Sequence, residues 1–311
     1  MNRPGLLLGG QSDERLLAGA LDDRFEIVRL WAAPAPRALI FDCGADIVAA
    51  LTTRMDAETL AMLPNLRVLA IPGAGYEHVD VAAARAQGVM VANAGDAHGA
   101  DVADHAVAMT LSSVHRIPTN DGWVRDGGWS RNGSPERRHS MSAQRFGIVG
   151  LGKIGTAIAE RLMPFGGEIA WWAPRAKDAA WPRRDSLLDL AEWCTTLVIA
   201  TRGDATGLVG AEAIAAVGRS GLIVNIARGR VIDEAALKIA LREGRLGRAA
   251  LDVFEQEPTS PERWRDVPNV ILSPHVAGVS YESIVRLRDA AIRNLSTALD
   301  GGHVVNALEA H

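Results

Sequence analysis

Short apolar runs alternate along this chain with longer stretches in which apolar residues return every three or four positions. In the first third, GLLL, EIVRL, AALT, RVLAI and VMVA read as strands at Gly5–Leu8, Glu26–Leu30, Ala49–Thr52, Arg67–Ile71 and Val89–Ala92. Helical segments such as Ala57–Leu63 and Val81–Ala86 lie between them, each closed by a proline or glycine. The stretch DVADHAVAMTLSSVHRI, Asp101 to Ile117, predicts a helix ending at Pro118. It is apolar on more than one face, which suits burial between domains or subunits. A polar region rich in Gly, Asn, Ser and Pro, Asp126 to His139, reads as a loop. A second series follows, with strands at Arg145–Val149, Glu168–Trp172, Thr196–Ala200, Leu222–Asn225, Ala249–Val253 and Val270–Leu272. A closing helix spans Tyr281–Leu299. Strand and helix in strict alternation predict an α/β fold with parallel sheets, and the second series makes one doubly wound unit.

Composition narrows the class. A chain of 311 residues is long enough for about two domains, and 48% hydrophobic with 23% charged residues is ordinary for a globular protein. The formal net charge of -4, with Lys and Arg scattered, predicts no nucleic-acid partner and no membrane partner. Cys43 and Cys194 stand far apart, with no CxxC, so neither a disulfide framework nor a metal site is expected. The opening MNRPGLLLGG holds only three leucines in a row before Gly9, too short for a signal-peptide core. The expected compartment is the cytoplasm.

The candidate chemistry begins at Gly150-Leu151-Gly152-Lys153-Ile154-Gly155, between the Phe146–Val149 strand and a helical TAIAERL. A GxGxxG is informative only in this strand-to-helix setting. The first glycine permits a tight turn, the second admits a pyrophosphate to the backbone, and the third lets helix and strand pack closely. At the end of the next strand an NAD-specific protein places an acid for the adenosine ribose. Here the strand runs into Ala173, Pro174 and Arg175, with Lys177 beyond and no carboxylate before Asp178. Arg175, helped by Lys177, can pair with the 2′-phosphate of NADP, or both can be solvated loop cations; the missing acid favours NADPH over NADH.

Three further strands end in polar residues: LIVNIARGRVIDEAAL (Leu222–Leu237), RAALDVFEQEP (Arg248–Pro258) and NVILSPHVAG (Asn269–Gly278). Open α/β sheets present their ligands at such ends. Taken with GLGKIG, PGAGYEHVD (Pro72–Asp80), GVMVANAGD (Gly88–Asp96), VADHAVAMTL (Val102–Leu111) and RIPTNDGWVRDGGW (Arg116–Trp129), the chain resembles the D-isomer-specific 2-hydroxyacid dehydrogenases over nearly its whole length. Within that family it is most similar to NADPH-using glyoxylate, hydroxypyruvate and hydroxyphenylpyruvate reductases.

The resemblance implies two Rossmann-like doubly wound domains, with an NAD(P)-binding domain at 98–278 inserted into a discontinuous substrate domain at 1–97 and 279–311. It implies a homodimer, with the long helix after Gly99 at the interface, and an active site in the cleft between the domains. The reaction implied is hydride transfer from NADPH to the C2 carbonyl of glyoxylate, hydroxypyruvate or a bulkier 2-keto acid, giving the D-2-hydroxy acid. Arg228 would grip the substrate carboxylate and C2 oxygen, a task for a planar, permanently charged donor fork. His275 would be the general acid, oriented by Glu257. Asp252 would hold the nicotinamide end, and the backbone amides of Ala74 and Gly75 would take the carboxylate. The resemblance also sets Val102, Thr201, Thr206, Ile226, Ala227 and Gly278 along the cofactor.

Departures from the family pattern are Glu77 where Asp is commoner and Ser273 where Thr is frequent. Arg54 and Met55 replace a glycine-like turn near the substrate, where they either favour an anionic or larger side chain or form a solvated loop. Two other readings stay open at this point. One is NAD-linked oxidation of a phosphoglycerate-like acid, and the other is a nucleotide-sensing, corepressor-like scaffold that retains the same Arg, Glu and His.

Overall fold

The computed structural model describes residues 3–202 and 205–308. The chain folds as two compact units, one of residues up to 98 with those from 280 onward, the other of residues 99–279.

In the first unit, strands Glu26–Arg29, Gly5–Leu8, Ile47–Leu51, Val68–Ala70 and Met90–Ala92 form a sheet in that order, every neighbour parallel. Both faces are covered, which is why the inner strands read as unbroken apolar runs rather than as alternating ones. Ile40, Leu60, Leu63 and Ala84 pack on one face. Leu16, Leu17, Leu21, Ala291 and Leu295 pack on the other, so the closing helix Tyr281–Leu299 returns to this unit. The edge strand stops at Arg29, because Leu30 already opens a 3-10 turn. A two-residue parallel pairing of Arg54–Met55 with His78–Val79, unforeseen from the sequence, places Arg54 beside His78.

The second unit is a six-stranded parallel sheet in the order Val270–Leu272, Arg248–Leu251, Leu222–Asn225, Thr196–Ile199, Arg145–Val149 and Glu168–Trp172. Leu190, Ala213, Ile214, Leu237 and Leu241 cover one face from three helices. Val102, Ala106, Ile158 and Leu162 cover the other, from helices Gly99–Val114 and Lys153–Leu162. The chain winds outward in both directions from Arg145–Val149 and Thr196–Ile199. That reversal is the switch point where such sheets leave a crevice at their carboxyl ends. Beyond the far edge, Trp171 N–H donates to Pro182 O (3.1 Å) and Arg184 N–H to Trp171 O (2.8 Å), so a remnant of a further parallel strand survives there.

Two expectations need correction. The long helix spans Gly99–Val114 and does not reach Pro118. Arg116 turns into the left-handed region at φ 55°, and Pro118 sits in the first turn of a separate helix, Ile117–Arg125. Proline is welcome there because first-turn amides have no intrahelical partner. The polar region after Asp126 is not all loop, since Gly128–Asn132 is helical. Among the described residues no helix is long and apolar enough to cross a membrane.

Asp13 in the first unit is buried, with Oδ2 accepting the Gly10 amide at 2.8 Å. Burial pushes its carboxyl up to about 6, against the lowering effect of the Gly10 and Gly9 amides. A raised carboxyl contributes stability that is complete below the ordinary carboxylate range and is lost as pH rises through about 6. Thermal denaturation should therefore show stability falling, by on the order of 2 kcal/mol, between pH 4 and 7, with much of the fall absent in Asp13→Asn. An unchanged pH profile in the variant would refute this assignment.

Candidate active site

The turn after Arg145–Val149 owes two of its three glycines to the protein itself. Gly150 has φ 91°, and a Cβ there would lie 2.7 Å from Thr201 Cα and 2.9 Å from Ala200 O. A Cβ on Gly155 would lie 2.0 Å from Gly150 O, so helix and turn touch backbone to backbone. Gly152 is different. Its φ is -72°, and a Cβ would meet nothing within 4 Å. Neither conformation nor packing requires glycine at that position, which leaves close approach of a ligand to the backbone as the physical reason. Helix Lys153–Leu162 starts here without a side-chain cap, so no side chain competes for its first amides and an anion suits its N-terminus. Leu151 is buried behind the turn, Ile154 is half-buried and Lys153 is exposed. These residues fit the pyrophosphate of a dinucleotide.

At the end of Glu168–Trp172, Ala173 is half-buried while Pro174, Arg175 and Lys177 are exposed. The sequence reading missed a third cation. Arg183 Nη2 donates to Ala173 O at 3.0 Å, with its guanidinium over the Trp171 ring at 5.9 Å. The remnant strand delivers it to that place, so the arginine pair in WPRRDS was the only signal available.

The arginine loop is folded by Asn225, whose side chain is fully buried. Its Oδ1 accepts the Ala227 amide (3.0 Å) and its Nδ2 donates to Arg228 O (3.1 Å). Arg228 is half-buried, with Nη1 donating to Ala227 O at 2.7 Å. The next residue permits a very close approach: a Cβ on Gly229 would fall 1.8 Å from the carbonyl carbon of Phe254. The Arg228 loop thus lies directly on the Phe254–Glu255 backbone. Glu234, 2% exposed, fastens the same two segments by accepting Glu255 N–H (2.9 Å), Arg263 Nη2 (2.7 Å) and Lys238 Nζ (2.9 Å). Burial alone would raise its carboxyl, but the hydrogen bonds from Arg263, Glu255 and Lys238 outweigh that and hold it below the ordinary value.

Glu257 lies on the turn so fastened. Its Oε1 accepts the Phe254 amide (2.9 Å) and its Oε2 meets His275 Nδ1 at 2.6 Å. A carboxylate can only accept, so the Nδ1 proton belongs to the imidazole and Nε2 is the nitrogen left for a substrate. His275 is 46% exposed on its side chain and has φ 54°, an uncommon conformation for a residue with a Cβ.

Asp252, by contrast, is 1% exposed. Its Oδ1 accepts Ser273 Oγ (2.6 Å) and Val276 N–H (3.0 Å), its Oδ2 accepts Ala277 N–H (2.9 Å), and its main-chain carbonyl accepts His275 N–H (2.8 Å). Any bond from Asp252 to a nicotinamide would share an oxygen already bonded within the chain. His105, on the long helix, reaches Ser273 Oγ with Nε2 at 3.0 Å. The structure thus brings Arg228, Glu257, His275 and Asp252 together, with His105 and Ser273 added.

The remaining expected cofactor residues divide by burial. Val102, Ile226 and Ala227 are buried; Thr201 and Gly278 are half-buried; Thr206 is exposed. Thr201 stands beside Gly150 at the switch point. In the first unit, the loop of Ala74 and Gly75 is pinned by Asn93, whose Nδ2 donates to Ala74 O at 2.8 Å while Gly73 O accepts the Ala94 amide. Both residues are half-buried.

Comparison with known proteins identifies the family of the chain. Residues 107–277 fit the family model described as D-isomer specific 2-hydroxyacid dehydrogenase, NAD binding domain. A glyoxylate/hydroxypyruvate reductase of Arabidopsis thaliana is 37% identical over 76% of this chain and 75% of its own length. The structure of a 2-hydroxyacid dehydrogenase from Ketogulonicigenium vulgare superposes with a TM-score of 0.92 at 33% identity, covering 99% of each chain. That of an NADPH-dependent glyoxylate/hydroxypyruvate reductase from Sinorhizobium meliloti, in complex with NADP and malonate, gives 0.88 at 31% identity over 99% of this chain and 97% of the other. By that family match and those relatives, this chain belongs to the D-isomer-specific 2-hydroxyacid dehydrogenases, NAD(P)-dependent oxidoreductases.

Proposed function

We propose that this enzyme reduces a small 2-keto acid, of the glyoxylate and hydroxypyruvate class, to the D-2-hydroxy acid with NADPH in preference to NADH. The observation that carries the reading is the 2.6 Å contact of His275 Nδ1 with Glu257, made on the turn against which the Arg228 loop is seated.

Gly150, Gly152 and the amides opening helix Lys153–Leu162 hold the pyrophosphate, and the bound dinucleotide supplies a hydride to C2. Arg228 binds the substrate carboxylate and C2 oxygen with two parallel N–H donors, which fixes the plane of the keto acid. Negative charge develops on that oxygen as the carbonyl is reduced, and a fixed guanidinium stabilises it without reorganising. The proton comes from His275 Nε2. Glu257 keeps the ring in one orientation throughout, and the exposed edge of the imidazole lets solvent return the proton. The amides of Ala74 and Gly75 are assigned to the substrate carboxylate. Asp252 orders the histidine loop rather than the reacting atoms.

NADPH preference rests on a strand end without a carboxylate and with Arg175, Lys177 and Arg183 around it. A 2′-phosphate adds negative charge that an acid would repel and an arginine can bind through two donors. The free thiols of Cys43 and Cys194 support a reducing, cytoplasmic setting. Ile117, Val124 and Trp129 are more than half exposed on the two helices after the long one, which supports a homodimer built on that face.

Initial rates with NADPH and NADH across glyoxylate, hydroxypyruvate, pyruvate and phenylpyruvate test the reading directly. His275→Gln should lower kcat by about 10²- to 10⁴-fold while leaving the Kd for NADPH unchanged. Arg228→Lys should raise the keto-acid KM and lower kcat together, since an ammonium cannot reproduce the paired donors. Absence of turnover on every keto acid, with tight nucleotide binding, would refute the enzymatic assignment. Arg175→Ala should raise the NADPH KM about tenfold or more and leave that of NADH in place. Equal effects on the two cofactors would remove the basis for the preference. Light scattering should give a dimer, and Trp129→Glu a monomer; a monomeric parent would exclude the interface.

A further inference from the structure

The imidazole of His275 is presented by a loop that would not hold this shape by itself. Pro274 has no amide to offer, and His275 takes φ 54°, a strained conformation for a residue with a Cβ. What holds it is Asp252. The amides of His275, Val276 and Ala277, three in succession, all reach that one residue: the first its main-chain carbonyl (2.8 Å, shared with Ser273 O at 3.0 Å), the second Oδ1 and the third Oδ2.

Such a clamp works only while the buried carboxylate is correctly turned, and the donor besides the two loop amides helps set that turn. Ser273 Oγ is that donor, at 2.6 Å. A serine hydroxyl has one proton, so once that proton is given to Asp252 the oxygen can only accept from its other neighbour. That neighbour is His105 Nε2, 3.0 Å from Ser273 Oγ and 3.6 Å from Asp252 Oδ1. His105 therefore carries its proton on Nε2, and it fixes the rotation of the hydroxyl that fixes the carboxylate. Met109, one turn along the helix, flanks the same hydroxyl with its sulfur at 3.8 Å. His105 is 27% exposed on its side chain, so the relay runs from a half-buried helix position to the reacting imidazole.

We propose that His105 and Ser273 are positioning residues for the reaction, acting through Asp252 to keep His275 in its left-handed conformation with Nε2 directed at substrate. This rests on His275 being the proton donor, and neither residue is assigned contact with substrate or dinucleotide. In this chain, the hydroxyl that stands where a threonine is frequent in the family is a working part of the relay. A threonine can replace it, but an alanine or valine cannot.

The test uses the full-length enzyme, with keto-acid turnover and NADPH binding by fluorescence measured separately. Ser273→Ala and His105→Leu should each lower kcat about tenfold, with the NADPH Kd within a factor of two, because a buried charged acceptor has lost a donor or the donor its orientation. Ser273→Thr should retain the parent kcat. The double variant Ser273→Ala/His105→Leu should be no slower than the worse single variant, since both break one chain of bonds. If either single variant kept the parent kcat, if Ser273→Thr failed as badly as Ser273→Ala, or if the two losses multiplied, the relay would be refuted. Loss of NADPH binding along with kcat would refute it as well, showing general collapse of the unit. Should Ser273→Ala not fold, His105→Leu and Ser273→Thr still decide the question. His275→Gln separates the two readings. A His275→Gln enzyme that is slow beside a fully active Ser273→Ala enzyme overturns the relay alone, whereas an unimpaired His275→Gln enzyme overturns the proton-donor assignment beneath it.

Discussion

A carboxylate taken out of water must be surrounded by donors, and the active centre of this enzyme is organised by one that is. Asp252 sits at the carboxyl end of its strand with 1% of its side chain exposed, and its acceptors are met by the histidine loop itself. The energetics are asymmetric. Each hydrogen bond to a charged group adds on the order of 2 kcal/mol, but a buried charge left without donors would cost more than any one of them returns. The loop therefore has one low-energy arrangement, in which three successive amides converge, and the strained φ of His275 is a consequence of that convergence. The conformation of the histidine loop follows from the need to satisfy a buried acid.

The second organising device is steric. Gly229 brings the Arg228 loop onto the Phe254–Glu255 backbone with no room for a methyl group. The guanidinium and the Glu257 carboxylate are thereby set by main chain against main chain, far stiffer than side-chain packing. Glu234 adds an electrostatic fastening across the same seam. Its carboxyl stays low despite burial because its donors outweigh desolvation, so this seam holds through the neutral range. The Arg228 loop and the acid turn are thus fastened to each other, with the His275 imidazole bonded to the same turn and 46% exposed.

Cofactor choice is built differently. Arg175 and Lys177 are exposed on a loop, and Arg183 reaches the same strand end from a remnant strand. Residues of this kind can change without disturbing a core, so the proposed discrimination between related nucleotides would lie where substitution is tolerated, while the proposed proton donor lies where it is not.

Much of this was legible in the chain before any fold was known. Unbroken apolar runs separated by helical periods can only make parallel sheets covered on both faces, and all six strands of the second unit fall where those runs lie. Glycine at 150 and 155 was readable because chirality and contact forbid anything else there, whereas Arg228, Glu257 and His275 were singled out by the resemblance of their segments to those of a family. The helix boundary near Pro118 was misplaced, since proline ends one helix and begins another with equal ease. Arg183, His105 and Ser273 were beyond reach for one physical reason. Arg183 reaches its strand end only once the remnant strand folds back, while Ser273 meets Asp252 across 21 residues and His105 meets Ser273 across 168, and no local pattern encodes such pairings. The sequence by itself determined the fold class and the dinucleotide turn, because those depend on neighbours along the chain, and through its resemblance to a family it pointed to the proposed reacting groups. Only the tertiary structure decided how the reacting groups are held, because burial turns an acid into a demand for donors, and only folding determines which residues can meet it.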